Sequence, residues 1–294
     1  MKNKENITKG WINGFLGVVI FSGSLPATRV AVLEFSPLFV TVARASIAGL
    51  LAFALLWLFK EKRPVRSHAA SLIVVALSVV VGFPLLTALA LQQVSSAHSI
   101  VFLGLLPLAT AVFGVLRGGE RPRPAFWLFS IIGSMLVVGF AFSQGVSASI
   151  NGDILMLAAV IVCGLGYAEG AKLSRELGGW QVICWALVLS LPLMLVISIW
   201  LMPSSLTDIT LPAWIGLAYV SVFSMLIGFI FWYRGLAMGG IASVGQLQLL
   251  QPFFGLALAA YLLREPVSPL MLVTTLGIIL CVAGSRRYAK PSAQ

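Results

Sequence analysis

Charge is what this chain has least of. Charged residues make up 10% of its 294, where a soluble globular protein has about 25%, and hydrophobic residues make up 60%. Mean hydropathy is +1.03. No fold hides that much apolar surface from water, so a soluble domain is excluded and a polytopic membrane protein is indicated. Acidic residues are the scarcest class, at nine. Cysteine is nearly absent too. Cys163, Cys184 and Cys281 all sit inside apolar runs, which argues for small core residues and against a disulfide framework or a metal site. No HExxH or membrane GxGD motif occurs, and Asp153 and Asp208 are expected at the outer surface, so an intramembrane enzyme lacks paired groups at depth. A Gly-rich Lys-Ser/Thr loop is also missing, which argues against an ATP-driven pump in this chain alone.

What is present is a succession of apolar runs. Ten are long enough to span a bilayer, at 11–33, 36–59, 69–91, 97–116, 124–143, 152–172, 179–201, 212–234, 242–263 and 268–286. Short connections leave no room for an inserted soluble domain. The runs are too long for barrel strands and do not alternate polar with apolar. Lys2, Lys4 and Lys9 before the first run imitate a signal peptide, but the run continues past signal-peptide length and is read as a retained span.

The net charge of +10 reads here as orientation, with no nucleic-acid partner expected. An N-terminus in the cytoplasm places Lys2, Lys4, Lys9, Lys60, Lys62, Arg63, Arg66, Arg117, Arg121, Arg123, Lys172, Arg175, Arg234, Arg286, Arg287 and Lys290 inside. That is 16 of the 19 basic residues; Arg264 lies outside, and Arg29 and Arg44 fall within spans. Both termini are therefore expected in the cytoplasm. Trp11, Trp57, Trp127, Trp180, Trp200 and Trp214 fall near span ends, where amphipathic rings prefer to sit.

The run Gly240–Pro269 has an echo at Ser95–Pro124. A shift of 145 residues aligns Ala97 with Ala242, Leu105 with Leu250, Pro107 with Pro252, Glu120 with Glu265 and Pro124 with Pro269. Apolar matches come cheaply in this composition, but two prolines and a glutamate in one register do not. The chain thus reads as a duplication, with one copy at 1–143 and the other at 144–294. Five spans per copy is an odd number, so the second copy is inverted with respect to the first. The fold class expected is an all-α polytopic membrane protein of ten transmembrane helices in two inverted five-helix repeats.

That arrangement, with Pro107 and Glu120 matched by Pro252 and Glu265 and a glycine-containing span after each pair, resembles the EamA-type branch of the drug/metabolite transporter superfamily. The resemblance implies a transporter in a bacterial inner membrane with a central cavity between the copies. It implies export of small metabolites such as amino acids or amphipathic organic compounds. Relatives that move nucleotide-linked or phosphorylated sugars form the alternative, and an intramembrane enzyme is the rival class. No cofactor is expected. The expected partners are a small-molecule substrate and the lipid bilayer, and both proton coupling and a homodimer are compatible with the chain.

Candidate site residues follow from polarity at depth. Pro107 and Pro252 sit near mid-span and free the carbonyls of Leu103 and Gln248, as hinges beside a site or as plain kinks. Gln246, Gln248 and Gln251 either bind a polar solute or bond neighbouring helices; Gln248 and Gln251 are expected on one face. Arg44 either binds a substrate carboxylate, pairs with Glu34, or snorkels outward. Glu169 is a coupling carboxylate or a local ion pair with Lys172. Tyr167, Trp232 and Tyr233 offer an aromatic lining, His98 reads as interfacial, and Glu120 and Glu265 read as determinants of loop geometry. Gly235-x-x-x-Gly239 and Gly166-x-x-x-Gly170 permit close helix approach.

Overall fold

The computed structural model describes residues 2–94, 99, 102–143, 149–203, 205, 209–255, 257 and 269–289. Among these residues the regular structure is helical and contains no strand. In lipid no water exists to take up backbone N–H and C=O groups, so an apolar segment saturates them within itself by coiling. The first run is α1 (Lys2–Ser22) and α2 (Ser24–Val32), and the second is α3 (Pro37–Leu58). The third is α4 (Ala69–Val75), a π-helical segment (Ala76–Gly82) and α5 (Phe83–Gln93). Then come α6 (Leu106–Leu116), α7 (Pro124–Ser143), α8 (Ile150–Leu177) and α9 (Gly179–Trp200). The eighth run is α10 (Leu211–Tyr219), a second π segment (Val220–Ile227) and α11 (Gly228–Gly239). The ninth opens as α12 (Ile241–Gly245) and tightens into a 3₁₀ turn (Gln246–Leu250), and α13 (Pro269–Tyr288) is the last.

Six of these stretches are long and apolar enough to cross a membrane, and Leu106–Leu116 and Pro124–Phe140 are shorter apolar helices. The expected spans 97–116 and 242–263 fall partly outside the described residues, as do His98, Asp208, Arg264 and Glu265 altogether. Most visible boundaries lie within about five residues of the expected ones, but α1 begins at Lys2 where 11 was expected, carrying the helix through the lysine-bearing N-terminal segment. Ser36 and Ser149 explain two starts. Their hydroxyls accept the N–H groups of Phe39 and Gly152, capping α3 and α8. Leu189, Leu193, Val196 and Ile199 form an exposed apolar stripe on α9, as expected of a helix facing hydrocarbon. Cys163, Cys184 and Cys281 are buried and outside any disulfide.

Helix packing joins the two halves of the chain. The first run lies along the eighth, α1 against α11 and α2 against α10. The third run lies along α8, α3 packs on α9, and α7 packs on α13. Glycine makes the first of these contacts close. A Cβ on Gly10 would come within 2.5 Å of the Gly239 nitrogen, and one on Gly235 within 2.5 Å of the Gly14 nitrogen. The Gly235–Gly239 pair therefore meets a second pair, Gly10 and Gly14, at the same spacing on the facing helix. The Gly166 and Gly170 pair is used likewise, against Ser78 and Val79 and against Tyr233.

One end of the bundle is tied by buried charge. After α6, Gly119 adopts a left-handed conformation (φ 67°) and turns the chain back on itself. This aims the buried Glu120 carboxylate at α12, where it accepts the Ile241 and Ala242 N–H groups at 2.6 and 2.7 Å. Arg175, in the last turn of α8, reaches the same carboxylate at 3.2 Å. Burial raises the Glu120 carboxyl above its ordinary range, while the two N–H donors and Arg175 act against that rise. Glu120 thus does shape a loop junction, across the two halves of the chain.

Gly235→Ala should lower the stability of the purified protein by about 1–3 kcal/mol, because the new methyl meets backbone that has no rotamer to yield. Gly139→Ala, with nothing within 4 Å of its added Cβ, is the control. Thermal melts in one detergent compare them; equal melting temperatures would show that the α1–α11 contact yields. Glu120→Gln should cost a similar amount, about 1–3 kcal/mol, by leaving one N–H of α12 without its acceptor. The same melts measure it.

Candidate functional site

A helix in lipid can be interrupted only where protein covers the loosened backbone, so the breaks point inward. Two of them precede the paired prolines. Turn residues Gly104 and Leu105 come just before Leu106 and Pro107, and the 3₁₀ turn Gln246–Leu250 comes just before Gln251 and Pro252. The carbonyl of Gln248, expected to be free, is taken by the Gln251 N–H in 3₁₀ fashion. A shorter-range bond replaces the one that Pro252 cannot donate. The two π segments, Ala76–Gly82 and Val220–Ile227, form a second matched pair at nearly the same 145-residue offset.

Around these breaks lies a narrow, partly open cavity. Arg44, Ser224, Tyr167, Gln251, Thr87 and Ser24 supply its polar lining, and Phe21, Phe83, Phe229, Leu25 and Leu106 much of its apolar lining. These residues come from seven of the helical runs and from both halves of the chain. Arg44, from α3, is buried and donates from Nη2 to the Ser224 hydroxyl at 3.3 Å. Ser24 donates to the same Oγ at 2.8 Å. The Nε of Arg44 has no partner. Neither alternative foreseen for Arg44 is realised. It is 5% exposed, so it does not snorkel, and Glu34 accepts instead from the N–H and hydroxyl of Thr210, both at 2.6 Å. Those hydrogen bonds hold the Glu34 carboxyl below its usual range.

Gln251 lines the cavity and donates to the Phe21 carbonyl at 3.2 Å. Gln246 and Gln248 are buried outside the lining, and none of their amide atoms has a partner. Gln248 and Gln251 therefore do not share one cavity face: Gln251 reaches the cavity and Gln248 is buried away from it. Tyr167 forms part of the wall. Its ring packs on Phe229 at 5.9 Å and on Trp232 at 5.4 Å. Trp232 is fully buried behind that wall, against Phe21, and Tyr233 donates to the Gly166 carbonyl at 3.1 Å.

Glu169 lies apart from the cavity, at the end of the bundle tied by Glu120. Its partner is not Lys172, which is exposed, but Arg117 after α6, at 2.8 Å. The Ser71 hydroxyl donates to its other oxygen at 2.6 Å. The carboxylate is 1% exposed. The bond raises the Arg117 guanidinium further above its ordinary range. His68 and Glu176 meet at 3.0 Å nearby. Contacts to Glu120 and Glu169 therefore link the third, fourth, sixth and ninth runs.

Sequence reasoning missed Ser24, Thr87 and Ser224, hydroxyls scattered among apolar residues with no spacing to mark them. It missed both π segments; Pro84 follows the first, but nothing comparable marks the second. Arg29, unexplained before, donates to the Leu91 carbonyl and so satisfies the last turn of α5.

Comparison with known proteins agrees with this architecture. The chain is 67% identical over 283 residues to the uncharacterized transporter YdeK of Bacillus subtilis (strain 168), covering 96% of this chain and 99% of that protein. An uncharacterized transporter of Archaeoglobus fulgidus is 24% identical over 277 residues, covering 92% and 93%. A protein solved by crystallography shares the fold with a TM-score of 0.77 at 18% identity, over 94% of this chain and 97% of that one. The sequence model of the EamA-like transporter family matches twice, at residues 8–142 and 150–286, and the chain belongs to that family.

Proposed function

We propose that this protein is a secondary transporter that moves small organic metabolites outward across a bacterial inner membrane by alternating access. Its units are two inverted five-helix repeats, 1–143 and 144–294, with both termini in the cytoplasm. The observation that carries the reading is the cavity, walled from both halves of the chain at the level of matched helix breaks. Helix packing supports the repeat. Exchanging each run for the one five places on converts the first–eighth contact into the sixth–third contact and leaves second–seventh and fifth–tenth unchanged. That is the behaviour of a two-fold relation between halves. It is a fold for moving solute, with no enzyme chemistry assigned to it.

In this reading Arg117–Glu169 and Glu120 with the start of α12 close the cytoplasmic side, which bears the Lys60–Arg66 loop. Most polar lining residues lie in the outer half: Arg44 is the eighth residue of α3, and Ser24 begins α2. Rocking one repeat against the other would part the ionic contacts and expose the cavity to the opposite side. Glu169 is the carboxylate placed to exchange a proton for Arg117 during that motion.

Reporter fusions at residues 65 and 294 should both read cytoplasmic and one at 206 should read external; a cytoplasmic signal at 206 would sink the inverted ten-span reading. Proteoliposomes loaded with a mixed amino-acid and organic-acid pool should lose specific members of it, measured by mass spectrometry. Pro252→Ala should slow that efflux by about tenfold with little change in apparent affinity, because a restored i→i−4 bond stiffens the ninth run. Unaltered turnover would mean that the break at Gln246–Leu250 is not a hinge.

A further inference from the structure

The unsatisfied cation in the cavity has a consequence for what the cavity holds. A guanidinium stays charged at any physiological pH, since its proton is too tightly held to be lost. Buried charge is costly unless it is paired, and truncation or isolation of one partner of a buried pair is strongly destabilising. Arg44 is 5% exposed, yet its one hydrogen bond to a described residue is with a neutral hydroxyl, Ser224, and its Nε makes none. Among the described residues no carboxylate lies within ion-pair distance of it; Glu5, Glu120 and Glu169 have other cationic partners, Glu176 meets His68, and Glu34 is spent on Thr210. Ser24 donates to the Ser224 oxygen as well, so that hydroxyl already accepts twice. Arg44 stands at the wall of the cavity.

We infer that the transported solute is an organic monocarboxylate with an apolar body, its carboxylate held by Arg44 and its body by Phe21, Phe83 and Phe229, in a state of the carrier whose cavity is wider than the one seen here. The inference rests on the transporter reading and narrows it. One cation at the site matches one negative charge. A phosphate ester carrying nearly two charges, or a dicarboxylate, would enter with charge uncompensated. Among the described residues the lining has no acidic side chain to receive an ammonium group, since Ser24, Thr28, Thr87, Gln251 and Tyr167 are neutral. An amino acid would therefore keep its carboxylate contact and bring in an unpaired cation beside Arg44. Phe21, Phe83 and Phe229 share the cavity with the guanidinium, and burial of a ring against them contributes affinity that a small inorganic anion lacks.

The test uses the full-length protein, purified and reconstituted, with 3-phenylpropionate as probe. Its comparators are 3-phenylpropan-1-ol, which lacks the charge, L-phenylalanine and phenethylamine, which add or substitute an ammonium, and chloride, which lacks the body. The acid should raise the melting temperature and cross the membrane. The alcohol, the amine and chloride should do neither, and L-phenylalanine should bind at least about tenfold more weakly than the acid. Arg44→Gln should reduce acid flux by about tenfold or more, with Arg44→Lys retaining part of it, because an ammonium keeps the charge but not the two-pronged geometry. Should Arg44→Gln fail to fold, the acid-against-alcohol comparison on the parent protein and the weakening expected in Ser224→Ala still decide the matter. Equal stabilisation by the alcohol, or full stabilisation by chloride alone, overturns the inference. Flux of L-phenylalanine or phenethylamine that is untouched by Arg44→Gln also overturns it, and leaves the transporter reading standing. Acid binding that depends on Arg44 without flux of any probe would uphold the site and defeat the transporter reading. Neither binding nor flux of the acid would overturn the inference outright.

Discussion

Backbone hydrogen bonding inside a bilayer is the constraint on which the rest of this structure depends. Each amide of a lipid-facing segment must find its partner in its own helix, because no water is present to replace it. The chain obeys that rule over most of its length and relaxes it at a few places: Gly23 between α1 and α2, the two π segments, the turn before Pro107 and the 3₁₀ turn before Pro252. A looser or tighter helical turn exposes carbonyls and shifts side-chain directions. Such places are tolerated only under protein cover, so they gather at the centre of the bundle. The cavity is found where they gather.

Charge obeys the same economy of dielectric. Glu120 and Glu169 are both buried, and each is surrounded by donors: two backbone N–H groups and Arg175 for one, Arg117 and Ser71 for the other. Arg44 is as deeply buried and has a single hydroxyl. The contrast separates charges that hold the bundle together from one that the bundle leaves available. Pairing also couples distant segments, since Glu120 follows the fourth run and caps the ninth. A motion that separates the two halves must disrupt these contacts, whose partial exposure, with Arg117 and Arg175 at the rim, keeps that cost modest.

Close backbone packing is the third element. Gly10 and Gly14 of α1 against Gly239 and Gly235 of α11 bring two helices nearer than any side chain would permit. Without a hydrophobic force between helices in lipid, such contact supplies dispersion energy over a long seam. Only half of the seam was evident beforehand. Gly235-x-x-x-Gly239 was noted as a motif, but its partner lies more than two hundred residues away, and spacing within one helix does not say which helix it meets.

The sequence by itself determined the membrane character, the helical class and most helix boundaries, because these follow from composition and run length, which act locally through solvation of side chains and backbone. It determined also the paired prolines and their register, which marked two of the breaks. The family could be read from the same residues. What only the tertiary structure decided was pairing. Glu169 chose Arg117 over the nearer Lys172, Glu34 chose Thr210 over Arg44, and the Gln248 carbonyl found the Gln251 N–H. Gln248 and Trp232 turned out to be buried beside the cavity, and Ser24 and Ser224 to be part of its wall. Partner choice is settled by distance and burial across helices far apart in the chain, and a change of one helical type, α to 3₁₀ or π, rotates every side chain beyond it. Neither quantity is encoded in the local run of residues that specifies a helix.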